Sequence, residues 1–412
     1  MPEFPVEHVR QMFPALHRGT VFLDNAAGAQ IPTNVFAAIH EHLLARNVQR
    51  GGRYRESQEV DATIARARET VAVFLNASDP GEVAFGMNAT SFIRLVSLAL
   101  AQTLADRREI IVSDLDHEAN IATWLALERE GAVIRWWKAR DQGTLYLDDL
   151  ERLLSSHTRL VACTVTSNAI GTIVDVAGVA KRAHAAGAEV FLDAVHYAPH
   201  GSIDVHAWGC DYLVCSGYKI FAPHMGFLWG RRKALDALPT FREDFIPNIP
   251  PLKIEVGTFV YENVAGMNAA IEYLAGLGTA SEGEDAVSSP RQRLTSAMEA
   301  IRQYEAQLSL ALLDGIGSIP GATIYGIRDR QSTDWRVPTV SFNLKGVTPQ
   351  TVASKLAEKN IAVRDGHMYS PRLMKHLGLS PDSGLVRASL VHYNTQEEVH
   401  KLVTALREIA TG

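Results

Sequence analysis

Over the first two-thirds of the chain, short apolar runs alternate with stretches in which apolar residues return every three or four positions. The runs are "EVAFGM" (82–87), "EIIVSDLD" (109–116), "AVIRWWKA" (132–139), "RLVACTVTSN" (159–168), "EVFLDAV" (189–195), "DYLVCSG" (211–217) and "MGFLWG" (225–230). Their length and composition predict strands. Between them, "SFIRLVSLALAQTLA", "HEANIATWLALERE" and the alanine-rich "VAGVAKRAHAAGAE" carry helical spacing. Strands that are apolar throughout and joined by helices predict a mostly parallel sheet covered on both faces, an α/β fold. The alternation stops at about residue 240, where "LPTFREDFIPNIPPLKIEVGT" is proline-rich and loop-like, and "TASEGEDAVSSPRQR" reads as an exposed connection. A long helix over 290–317 follows, then strand and helix patterns of a smaller α+β unit. The expected organisation is a large domain over 20–260, a connecting segment over 261–288, and a small domain over 289–412 packed with residues 1–19.

Composition changes this picture little. With 412 residues, 47% hydrophobic and 21% charged, the chain is an ordinary globular one, long enough for more than one domain. A net charge of -6 and the absence of a long Lys/Arg run argue against nucleic acid as a partner. No run of 18 apolar residues is present, so no membrane span is expected. The N-terminal "MPEFPVEHVRQMFPALHRG" lacks the basic start and apolar stretch of a signal peptide. Three cysteines, Cys163, Cys210 and Cys215, are too few for a disulfide framework and fit a reducing cytoplasm.

Ligands of open parallel sheets bind at the carboxyl ends of the strands. The polar residues there are Thr90, His117, Asn168, Asp193, His196, Ser216, Tyr218 and Lys219. Lysine is almost never fully buried without a partner, and desolvation would lower the pKa of Lys219, leaving an amine able to form a Schiff base. Pyridoxal phosphate fits the remaining residues. Asp193 can hold its pyridinium nitrogen and His117 can stack on its ring. Asn168 or His196 could reach the ring hydroxyl. Thr90 at a helix start, with Ser216 and Tyr218, can cradle the phosphate. A nicotinamide dehydrogenase is disfavoured because no G-x-G-x-x-G follows the first strand. A metal site of His196, His200, His206 and Cys210 is zinc-like in composition only, and no metal is expected. A non-catalytic protein on the same fold is the remaining alternative.

The order of "FLDNAAGAQIP", "DHEANIATW", "SNAIGTIVDV", "FLDAVHYAPHGSIDVHAWGCDYLVCSGYKIFAPHMGFLWG", "IEVGT", "VRDGH" and "LVRASLVHYNTQEEVHKLV" is similar to the cysteine desulfurase-like branch of the class V aminotransferases. The resemblance implies an aspartate aminotransferase-like fold, pyridoxal 5'-phosphate on Lys219, Asp193 at the pyridine nitrogen, and His117 on the ring as a second catalytic group. It implies phosphate contacts from Ala89, Thr90, Ser216 and Tyr218, and a homodimer in which Thr258 reaches the neighbour's phosphate. It also implies Arg387 on the substrate carboxylate, with Asn25, Ala26 and Arg364 nearby in the matching motifs.

Two departures bear on the reaction. Where desulfurases carry sulfur on a loop cysteine, "RDGHMYSPRLMKHLGL" has Tyr369, a candidate substrate-binding residue, with Ser370 beside it. In "NVQRGGRYRES" three arginines, Arg50, Arg53 and Arg55, flank Tyr54, where relatives commonly have a histidine; Arg53 is a candidate for a second anionic group of the substrate. The expected function is β-elimination from cysteine or an S-substituted cysteine without a persulfide-carrying cysteine. Epimerisation and transamination are the alternatives.

Overall fold

The computed structural model describes residues 4–279 and 289–411. Its largest element is a seven-stranded sheet. In spatial order the strands are Val83–Gly86, Gly226–Gly230, Tyr212–Ser216, Glu189–Asp193, Thr158–Thr164, Glu109–Ser113 and Val133–Trp137. Gly226–Gly230 runs antiparallel to both of its neighbours, Val83–Gly86 and Tyr212–Ser216. The remaining pairings are parallel, as in Thr164 with Asp193 and Asp193 with Val214.

Alternate residues of each strand feed opposite cores, as the period of two requires. Val161, Cys163, Val190, Leu192, Leu213 and Cys215 belong to one cluster. Leu160, Ala162, Phe191, Tyr212 and Val214 belong to the other, with Phe92 and Trp124 from the helices Ala89–Ala101 and Ala119–Leu125. The first cluster is covered by Val176–Ala185, by Arg55–Leu75 and by Tyr261–Thr279. Residues 261–279 thus do not merely connect. Val264, Met267, Ala270, Ile271 and Leu274 recur at helical spacing and are buried, which draws the segment into the core. The remainder of the expected connection, 280–288, lies outside the described residues.

The second unit is a four-stranded antiparallel sheet in the order Arg364–Gly366, Leu385–Ser389, Thr339–Leu344 and Ala322–Tyr325. It packs on the long helix Pro290–Gly317 and the terminal helix Gln396–Thr411. The N-terminal residues contact both units. Phe13 lies against Phe221 and Tyr393, and Arg10 pairs with Glu398 at 2.9 Å. Val21–Phe22 pairs in parallel with Ile361–Ala362, and Asp24 bridges to Ser389. This strap carries Asp24 and Asn25 to the edge of the large sheet where the parallel strands end.

Candidate active site

Five loops leave the carboxyl ends of the parallel strands and line one narrow cleft. They bring together Ala89, Thr90, His117, Asn168, Asp193, His196, Ser216, Tyr218 and Lys219, nine of the residues singled out from the sequence. Lys219 closes the single turn Gly217–Lys219 after strand Tyr212–Ser216. It is 5% exposed, and no hydrogen bond or ion pair involves its amine among the described residues. Burial, and then the positive charge of Arg387, lowers its pKa to about 8, against the opposing pull of Asp193. Asp193 accepts from the Val195 amide at 2.9 Å, and burial raises its pKa.

His117 accepts from the Ala119 amide through Nδ1 at 3.1 Å, so the ring proton sits on Nε2. Burial, Lys219 and Arg387 lower its pKa to about 4. The imidazole is therefore neutral at neutral pH. His196 is buried, with Nε2 at 3.0 Å from Thr339 Oγ1 and Nδ1 without a partner.

The helix Ala89–Ala101 starts at the same cleft. A capping box between Asn88 and Ser91 defines its start. The first-turn amides of Ala89 and Thr90 have no intrahelical partner, and that of Ala89 donates to Ser216 Oγ at 3.2 Å. Gly226 permits this approach. A Cβ there would stand 2.6 Å from the Asn88 carbonyl carbon and 2.9 Å from the Ala89 nitrogen.

Arg387 is buried and forks between Asp24 Oδ1 at 2.9 Å and the Asn168 carbonyl at 2.8 Å, leaving Nε unpartnered. Arg364 holds the other oxygen of Asp24 at 2.8 Å and 2.9 Å. Asp24 thus aligns both guanidinium groups; the sequence reading names neither it nor the buried, unpartnered Thr166 of the same cleft. Asp24 could have been noticed as the acid after Leu23 in "FLDN". Asn25 commits its carboxamide to Phe22, Ser389, Asn394 and Tyr393, and the Ala26 amide donates to Ser389 Oγ at 2.8 Å. Both shape the strap and have no free side-chain group for a ligand.

Tyr369 stands over His117, with ring centroids 5.6 Å apart. Met368 and Tyr369 both have left-handed backbones, φ 52° and 57°. Such a conformation costs non-glycine residues on the order of 1 kcal/mol each, so the surroundings must hold it. Asn168 does so with both ends of its carboxamide, donating to the Met368 carbonyl at 2.6 Å and accepting from Ser370 Oγ at 3.2 Å.

Within one chain, Thr258 and Arg53 do not reach this cleft. Thr258 is exposed and accepts from Gln49 at 2.6 Å. Arg50 and Arg55 pair with Asp61 and Glu59, whereas Arg53 has no ion pair among the described residues. Cys163, Cys210 and Cys215 are fully buried, and burial raises the pKa of each thiol. Of the residues considered for zinc, His206 instead lies 3.0 Å from Ser78. Among the described residues no three His, Cys, Asp or Glu side chains gather in a metal-like group.

Residues 21–402 match the model of the family described as aminotransferase class V. The chain belongs to the class V aminotransferases. It is 38% identical to an aminotransferase-like protein of Gibberella zeae, with 98% of each chain covered. It is 36% identical to a cysteine desulfurase of an Enterobacter species, again over 98% of each. The solved cysteine desulfurase of Thermococcus onnurineus superposes with a TM-score of 0.88 at 27% identity, over 100% of this chain and 99% of that one. Class V aminotransferases are pyridoxal phosphate-dependent enzymes, and the cleft suits that cofactor. It offers an unpartnered buried amine, a buried carboxylate, an unpartnered nitrogen on His196 and first-turn amides beside two hydroxyls.

Proposed function

We propose that this class V aminotransferase cleaves the carbon–sulfur bond of cysteine or an S-substituted cysteine by β-elimination, releasing the sulfur group directly. Pyridoxal phosphate supplies, when bound, an aldehyde for an amine and a ring that draws electrons from the Cα of an amino acid. The chain's residues would divide the remaining tasks. Lys219 would hold the cofactor and would take up a proton at Nζ; a pKa of about 8 leaves a usable neutral fraction near neutral pH. Asp193 would hold the ring nitrogen, whose positive charge would keep its carboxylate ionised. His117 would cover the ring without adding charge and would offer Nε2 for proton exchange. His196 or Asn168 would meet the ring hydroxyl. Ala89, Thr90, Ser216 and Tyr218 would hold the phosphate, and Arg387, oriented by Asp24, the substrate carboxylate.

The observation that carries direct release is the chemistry of the loop over the cleft. Its residue there is Tyr369, and all three thiols are buried with raised pKa values, the opposite of what a sulfur-accepting thiolate needs.

We further read the protein as a cytoplasmic homodimer. Among the described residues no helix is long and apolar enough to cross a membrane. A groove of about 940 Å³ shares Thr90, Ser216 and Tyr218 with the cleft and runs past exposed Met87, Leu98, Phe241 and Val256. Such a patch suits a second copy, whose Thr258 would complete the phosphate site.

The test is to add a panel of amino acids to the yellow holoenzyme and identify the products. Pyruvate with a released sulfur compound supports elimination. A new oxo acid or a racemised substrate would replace this reading with transamination or epimerisation.

A further inference from the structure

The turn that carries Tyr369 is tied at every residue. Besides the two bonds from Asn168, the Tyr369 carbonyl accepts from the Glu118 amide at 2.8 Å. The Tyr369 amide donates to His367 Nδ1 at 3.0 Å, and the Ser370 amide to the His367 carbonyl at 2.8 Å. The Met368 side chain is buried beneath. These bonds fix the main chain while leaving Tyr369 56% exposed. Its ring is inclined 33° to His117, and its oxygen lies within electrostatic reach of Arg364 and Tyr218. An exposed aromatic ring on a turn anchored in this way is a wall, not a passenger.

We propose that Tyr369 is a specificity-determining residue whose ring selects amino acids bearing a flat, uncharged group beyond Cβ over cysteine itself. The inference rests on the carbon–sulfur cleavage reading and names its substrate class: cysteine S-conjugates with an aromatic S-substituent. His117 and Lys219 line one cleft with Asn168, whose carbonyl accepts from Arg387 at 2.8 Å. An amino acid with its carboxylate at Arg387 and its amine at Lys219 therefore lies beside His117, and the Tyr369 ring, 5.6 Å from that imidazole, is the next group outward. A side chain that ends at a thiol stops short of it. One that extends by a ring can stack on it, and a thioether sulfur beside an aromatic ring is itself favourable. Arg364 and Arg387 share the one carboxylate of Asp24, and the substrate carboxylate at Arg387 takes up the remaining positive charge, so neither a cationic nor a second anionic group gains at this wall.

The experiment uses holoenzyme and two probes that cannot lose sulfur. One is the isostere of S-benzylcysteine with a methylene in place of sulfur; the other is α-aminobutyrate, the isostere of cysteine. Calorimetric binding should favour the phenyl probe by about tenfold. Tyr369→Ala should remove that preference by weakening the phenyl probe alone, and Tyr369→Phe should keep it. Equal affinities in the native protein, or an equal loss for both probes in Tyr369→Ala, would overturn the assignment. The side chain is exposed, so both variants should fold. A parallel assay follows thiol release from S-benzylcysteine. Ring-dependent binding without thiol release sinks the cleavage reading and leaves Tyr369 as the selecting wall. Thiol release with no dependence on Tyr369 does the reverse.

Discussion

At the scale of single residues, the site rests on one amine that the fold keeps from water. Lys219→Ala should lower turnover by about a thousandfold or more, while the cofactor remains bound through its phosphate and ring contacts. An absorbance spectrum of unlinked cofactor in the variant, with normal retention on gel filtration, checks this; near-native turnover would refute it. Arg387 makes a different prediction. Its fork already grips Asp24 and the Asn168 carbonyl, and an ammonium is a point charge without that planar geometry. Arg387→Lys should raise KM by about tenfold or more with a smaller change in kcat, measured with any turned-over amino acid.

Lys219, Asp193 and His117 were legible because each ends or follows a strand, and a parallel sheet places such positions on one edge. The engagement of Arg387 by Asp24 was not. It joins residues 363 positions apart, and no local pattern records a contact at that separation.

At the scale of elements, the turn 367–370 is stabilised by a carboxamide from another loop. Asn168→Ala removes both bonds at once. Amide exchange of Tyr369 and Ser370 should quicken by roughly ten- to a hundredfold, since each buried bond contributes about 1 kcal/mol, and exchange in the neighbouring strand Leu385–Ser389 should stay unchanged. The strands of the large sheet followed from their apolar runs, and the helices Ala89–Ala101, Ala119–Leu125 and Val176–Ala185 from helical spacing; the covering helix Arg55–Leu75 did not. Helix Tyr261–Thr279 did not, because its glycines and the polar stretch after it resemble a connection, and only burial against Arg55–Leu75 reveals its role. Thr258 and Arg53 also escape a single-chain reading. Both are exposed, and what they face depends on a second molecule.

At the scale of the whole molecule, burial of neutral histidines makes stability depend on pH. His392 is fully buried, lies 2.7 Å from the Tyr273 hydroxyl through Nε2, and is held by burial at a pKa of about 3. The unfolded chain takes up this proton as pH falls through about 6.5 and the folded chain does not, so stability falls with falling pH across that window. By pH 5 the loss from this residue is about 2 kcal/mol. His392→Gln keeps a partner for Tyr273 and removes the titration. Its urea midpoint should therefore decline less between pH 7 and pH 5 than that of the native protein; parallel declines would contradict the assignment.

The strap formed by the first thirty residues has a further consequence for biosynthesis. Asp24, Asn25 and Ala26 leave the ribosome at least 340 residues ahead of the groups on which they dock, Arg364, Arg387, Ser389 and Asn394. The nascent strap must wait, undocked, until those residues have been made. A stop codon before Leu385 should accordingly yield a polypeptide that aggregates or is degraded, not a smaller working enzyme.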